Sequence, residues 1–150
     1  MRPAGISQLE RFFREAAGLD IDKEDIKRYD DFISAKIRNL LLRGEANARA
    51  NGRDIIQPFD LPITKGLQDR IHVFERLDEN IGITALLNEL PLRPQPFASE
   101  MSDETAEKLP QIAGGLSVAL GEALTVIYPR SKSPSSKHWE TLFKLFNLLL

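Results

Sequence analysis

The residues Ile26, Tyr29, Ile33, Ile37, Leu40, Leu41, Gly44 and Ala48 keep a helical spacing over about 28 residues. The pattern begins after the acidic segment GLDIDKED and stops near Asn51-Gly52. Asp20 or Asp22 can cap its start, and Glu24 and Asp25 suit the positive end of a helix dipole. A helix this long with one continuous apolar face is not stable in water alone; it needs a partner along its length. That requirement constrains the fold more than any other feature.

A second long pattern supplies a partner: Thr105, Leu109, Ile112, Leu116, Leu120, Ala123 and Ile127 place a helix over residues 103–128. Pro110 lies inside it and predicts a kink or a restart. Shorter patterns flank both long ones. Ile6, Leu9, Phe12, Phe13 and Ala16 predict a helix over 6–17, with Ser7 as its cap and Gly18 as its stop. Ile63, Leu67, Ile71 and Phe74 predict one from Leu61 to about Asp78, capped by Asp60, with Pro62 in its first turn. ITALLNEL (83–90) reads as a short helix, PLRPQPFAS (91–99) as a Pro-rich connection and PRSKSPS (129–135) as a loop. SKHWETLFKLFNLL (136–149) reads as a last helix with Trp139, Leu142, Phe143, Phe146 and Leu149 on one face.

The order short, long, loop, medium therefore occurs twice, over about 6–79 and 83–150. Residue identities do not repeat, so the repetition is one of architecture. The two long helices are expected to cross and to cover each other, giving one all-α domain over 1–150 with a shared core.

Between the first long helix and the next lies NGRDIIQPFDLP, residues 51–62. Ile55 and Ile56 favour an extended backbone, and Pro58 keeps Gln57 out of the helical region. Short–long–short helices with extended loops resemble the histone fold. RDIIQPFD is similar to its second loop, in which an arginine and an aspartate seven residues on form a clamp. The matching positions are Arg53 and Asp60. The runs FREAAGLDIDKEDIKR, NGRDIIQPFDLPITKGLQ and FNLLL resemble a family of bacterial proteins that carry two histone folds in one chain, a pseudodimer. The resemblance covers nearly all 150 residues and is strongest over 8–77. The second half departs from it: seven residues after Arg130 stands Lys137, with Glu140 nearby, so no matching clamp is expected there.

Several function classes are disfavoured. With no cysteine there is no thiolate nucleophile, disulfide or Cys-based zinc site. His72 and His138 have no evident co-ligands, so neither a metal nor a cofactor is expected. Gly114-Gly115 lack a GxxxxGK[ST] context and suit a close helix crossing. Phe12, Phe13, Phe143 and Phe146 fit a core and are not interleaved with arginines. No catalytic constellation is visible, and a non-enzyme is expected. Glu10, Arg11 and Arg14 interrupt any leader-like run at the N-terminus, and no membrane span is expected; a cytoplasmic protein is the reading.

Histone-like proteins of this kind imply double-stranded DNA as a partner. The net charge of −2 gives little general attraction to phosphate. Basic residues near the loops are the candidate phosphate contacts: Arg49 and Arg53, with Arg93 nearby, at one end, and Arg130, Lys132 and Lys137 at the other. The fold would place the second group beside Asp20, Asp22, Glu24 and Asp25. The first expectation is therefore a histone-like protein that touches the DNA backbone without strong sequence preference. The alternative is a protein-interaction or assembly module that leaves DNA alone; an apolar patch exposed after folding would favour it.

Overall fold

The computed structural model describes residues 3–87 and 100–150, which are mostly helical. Helix α1 spans Pro3–Ala17, starting earlier than Ser7, which lies exposed inside it. Proline suits the first turn because its missing N–H would be unpaired there in any case. Gly18 ends the helix at φ +65°, and the Leu19 N–H reaches back to the Phe13 carbonyl at 3.2 Å.

Helix α2 (Lys23–Ala50) is 28 residues long. Asp22 is its cap. Its Oδ1 accepts from the Asp25 N–H at 2.9 Å, and Asp25 Oδ2 accepts from the Asp22 N–H at 3.0 Å. After α2 come the two-residue strand β1 (Ile55–Ile56) and a single 3-10 turn over Pro58–Asp60. Helix α3 (Lys65–Ile81) begins at Thr64, whose Oγ1 accepts from the Leu67 N–H at 3.1 Å. The predicted start at Asp60 is therefore wrong. Pro62 holds Leu61 in an extended conformation (ψ 132°), so no helix can begin there.

Helix α4 is described over Thr84–Leu87. The rest of that predicted helix, the Pro-rich connection up to Ser99 and Arg93 lie outside the described residues. Strand β2 (Glu100–Met101) leads into helix α5 (Asp103–Ile127), and α6 spans Ser136–Leu149. The helix does not restart at Pro110: α5 runs unbroken through it, and Pro110 is buried in it. By length and apolarity α5 would pass for a membrane span, against the expectation from the sequence. In the fold 61% of that stretch is buried by its neighbours.

The long helices meet at Tyr29 and Ser117, but they do not cover each other along their length. The closest packing is α3 along α5. Gly114 faces the ring of Phe74 and Gly115 faces Ile71, so the two backbones approach where a side chain would keep them apart. The face of α2 is shared among α1, β1, the 3-10 turn, α5 and α6.

Buried residues of both halves form one continuous cluster. At its centre Phe13 stands edge-on to Phe12 (5.5 Å), Tyr29 (5.4 Å) and Trp139 (6.3 Å). Each such pair contributes about 0.5–1.5 kcal/mol beyond the area it buries.

At both ends a loop of one half lies against a loop of the other. β1 pairs in parallel with β2, Ile55 opposite Glu100 and Ile56 opposite Met101. Thr105 Oγ1, buried, donates to the Ile56 carbonyl at 2.8 Å. At the other end the Asp20 N–H donates to the Lys132 carbonyl at 2.8 Å.

Candidate functional site

The two loop pairs are where the candidate phosphate contacts fall, and they differ. At the β1–β2 end Arg53 is committed to Asp60. Its Nη1 and Nη2 each donate to one carboxylate oxygen at 2.6 Å. Asp60 Oδ2 also accepts from the Gln57 N–H at 2.8 Å, and Asp60 is only 3% exposed. Its hydrogen bonds from Arg53 hold the carboxyl below its ordinary pKa. The ring of Phe59, 76% exposed, covers the Arg53 guanidinium at 4.8 Å. Asp60 thus closes the loop by a bidentate ion pair instead of capping α3. Arg49 lies one turn from Glu45, with Nη1 3.7 Å from Oε1. Asp54, Glu100 and Asp103 belong to the same end. Two arginines held by carboxylates among three more acids make a poor phosphate cradle.

The other end keeps its cations open. Arg130, Lys132 and Lys137 are exposed, and none forms an ion pair among the described residues. Two lie in the loop joining α5 to α6, and Lys137 lies in the first turn of α6. Ser135 caps that helix, its Oγ accepting from the His138 N–H at 3.3 Å, and His138 stacks on Tyr128 at 3.7 Å. The Asp20–Lys132 bond brings the acidic first loop alongside, as anticipated. Arg14 draws off Asp20 (3.6 Å), and Asp25 is buried, which raises its pKa. The structure therefore brings Arg130, Lys132 and Lys137 together and sets them apart from Arg49 and Arg53.

No cluster able to hold a metal exists among the described residues. Two titratable groups withdrawn wholly or in part from solvent carry no signal in the sequence. Lys36 is 4% exposed, donates to the Leu150 carbonyl at 3.1 Å and has its pKa lowered by burial. Asp30 has one carboxylate oxygen buried without a partner, and burial pushes its pKa up to about 6.

A groove of about 500 Å³ opens between α3, α5 and α6, walled by residues such as Leu67, Ala119, Ala123 and Phe146. An Arg70–Glu122 ion pair marks its rim. Two of its lining residues correct the apolar faces drawn from the sequence: Leu149 is 76% exposed, and Ile127 is exposed too. Both lie in the last turn of their helix, beyond the reach of the core. The signal is present in FNLLL, whose apolar residues Phe146, Leu148 and Leu149 spread over more of the helix circumference than one stripe.

A family profile described as a domain of unknown function, DUF1931, matches residues 9–147. Two uncharacterised proteins of Aquifex aeolicus (strain VF5) are similar. One is 31% identical over 116 residues, covering 77% of this chain and 67% of the relative. The other is 30% identical over 122 residues, covering 76% and 73%. A crystal structure of a protein from Thermus thermophilus superposes with a TM-score of 0.86 at 42% identity, covering 97% of each chain. One from Aquifex aeolicus gives 0.85 at 26% identity, covering 100% of this chain and 98% of the other.

Proposed function

This chain belongs to the DUF1931 family, and on that footing we propose that it is a fused pair of histone folds acting without catalysis in the cytoplasm. Its role in this reading is weak contact with the backbone of double-stranded DNA. What supports the architecture is the reciprocal loop pairing: β1 with β2 at one end, Asp20 with Lys132 at the other. The bidentate Arg53–Asp60 clamp supports it further.

The observation that carries the DNA reading is the open corner of Arg130, Lys132 and Lys137. Three cations without carboxylate partners among the described residues, two of them on a loop before a helix N-terminus, can meet phosphate oxygens. Arg49 and Arg53 are set aside, since carboxylates hold both. Three contacts imply modest affinity and a shallow salt dependence, with a slope of about −3 in log K against log salt.

Fluorescence anisotropy of a labelled duplex of about 40 base pairs, at about 50 and 200 mM salt, tests it. Binding near micromolar at low salt that is lost in an Arg130→Glu, Lys132→Glu, Lys137→Glu variant fits the proposal. No binding at low salt, or binding untouched by that variant, sinks it.

A second reading is favoured by a different observation. The apolar residues left exposed at the ends of α5 and α6 suit an assembly module that takes a protein partner and no DNA.

A further inference from the structure

The groove between α3, α5 and α6 differs from exposed apolar residues elsewhere on the surface, such as Phe59, in being concave. Gly66, Ala119 and Ala123 line it with little or no side chain, and Leu67, Leu142 and Phe146 add apolar bulk around them. Its volume of about 500 Å³ lies within the roughly 300–1,000 Å³ of small-molecule sites. Arg70 and Glu122 are its only charged lining residues among the described ones. We infer that this groove binds one straight-chain monocarboxylate of medium length, its alkyl tail along α5 and its carboxylate on Arg70. The inference stands independently of DNA contact.

The dimensions select a slender chain. On α5 the lining runs from Ala119 to Ile127, about 12 Å of helix. Spread over that length, the volume leaves a cross-section of roughly 40 Å². A partner helix, roughly 10–12 Å across, can only lie over such a groove, whereas an extended alkyl chain enters it. Along the tail the walls are the aliphatic and aromatic groups of α5 and α6, and burying methylenes against them drives binding.

The headgroup is selected by what Arg70 lacks. Its Nη1 donates to Glu122. Its Nε is shut off from solvent and has no acceptor among the described residues. A guanidinium carries its N–H donors in a fork that matches a carboxylate, so one partner on Nη1 leaves the Nε–Nη2 edge for a second. A carboxylate in the groove, toward which the guanidinium turns, supplies the missing acceptor. Gly66 stands one turn before Arg70 on α3, and side chains on a helix lean toward its N-terminus. The guanidinium is thereby carried toward the first turn of α3, where the Lys65 and Gly66 N–H groups have no intrahelical acceptor and the space beside Gly66 is open. The positive end of the α3 dipole acts in the same sense as Arg70. An alkylammonium would find only Glu122, which Arg70 already holds.

Isothermal titration calorimetry of the full chain with decanoate, kept below its micelle-forming concentration, tests the inference. The expected result is one decanoate per chain with a dissociation constant on the order of 100 µM. Octanoate, two methylenes shorter, should bind about tenfold more weakly. Decylammonium should bind about tenfold more weakly than decanoate, and Arg70→Gln should weaken decanoate by a similar factor. Ala123→Phe, which fills the groove, should abolish binding, with far-UV circular dichroism unchanged. If that variant folds poorly, Arg70→Gln and the two shorter comparisons on the wild-type chain decide. No binding at about 1 mM decanoate overturns the inference. So do several decanoates per chain, equal affinity for decylammonium, or undiminished binding to a folded Ala123→Phe chain.

Discussion

Tyr29 and Ser117 share a 2.6 Å hydrogen bond where the two long helices meet, both side chains wholly buried. Ser117 Oγ also lies 2.6 Å from the Ala113 carbonyl and donates its single proton there. The phenol of Tyr29 is therefore the donor to Ser117, and burial raises its pKa. One residue of each half completes the other.

The roles predict unequal costs. Tyr29→Phe removes a donor from an oxygen still bonded to Ala113, and should cost about 1 kcal/mol. Ser117→Ala strands a buried hydroxyl without an acceptor, and should cost about 2 kcal/mol. Urea unfolding read by far-UV dichroism and Trp139 fluorescence checks this. The two signals should coincide, because Phe13 of the first half packs on Trp139 of the second. Equal costs, or a larger one for Tyr29→Phe, would contradict the donor assignment.

Two glycines should respond to alanine with opposite signs. A Cβ on Gly115 would lie 2.5 Å from Ile71 Cγ1 and 3.0 Å from the Ile71 backbone nitrogen. Helix propensity gains at most about 1 kcal/mol, whereas forcing two backbones apart costs about 1–3 kcal/mol or more. Gly115→Ala should therefore destabilise by about 2 kcal/mol. Gly66, in the first turn of α3, has open space around it, so Gly66→Ala should stabilise by about 0.5 kcal/mol. Thermal melts of both variants decide the matter.

Asp60 ties together Arg53 and the Gln57 N–H. Asp60→Asn keeps the shape and removes the charge, and should cost about 2–3 kcal/mol at neutral pH. The folded-state pKa of Asp60 is depressed, so this stability is present above the ordinary carboxylate pKa of about 3.9 and is lost as pH falls through the lower, folded value. The gap between wild type and variant should narrow at the acid end of a pH series. A constant gap would show that the charge of Asp60 contributes nothing.

Asp30 has the opposite sign. Its pKa is raised to about 6 by burial, so the folded state binds the proton more tightly than the unfolded chain. Its charge therefore costs stability above about pH 6, and that cost fades as pH falls toward about 4. Asp30→Asn should stabilise by about 1–2 kcal/mol at pH 7.5 and by almost nothing near pH 4, the figure being reduced for partial exposure. Chemical denaturation at the two pH values is the check; a destabilised variant at pH 7.5 would mean that Asp30 has a favourable partner.

Much of the architecture is legible in residue order. Helix-period stripes mark α2, α5 and α6, because one-sided burial leaves a periodic trace. Asp22 and Gly18 mark boundaries through local hydrogen bonding and φ. The pairing of Arg53 with Asp60 is what the resemblance of RDIIQPFD to a histone-fold loop implies, and the structure forms it. The start of α3 is misread because two capping residues compete, and the extended Leu61 before Pro62 decides between them. The candidate site is legible in part. Arg130, Lys132 and Lys137 are marked by type, but no local rule says which cations carboxylates will hold.

The sequence by itself therefore determined most of the helices and their order in two halves, since these rest on interactions between residues near in the chain, and the resemblance it carries pointed to the clamp. Tertiary structure alone decided that α5 lies closest to α3, that Lys36 and one carboxylate oxygen of Asp30 are buried, and that the ends of α5 and α6 stay open. Each depends on which surfaces are left after residues distant in sequence have packed, and an apolar stripe records that a face wants cover without recording whether it finds any.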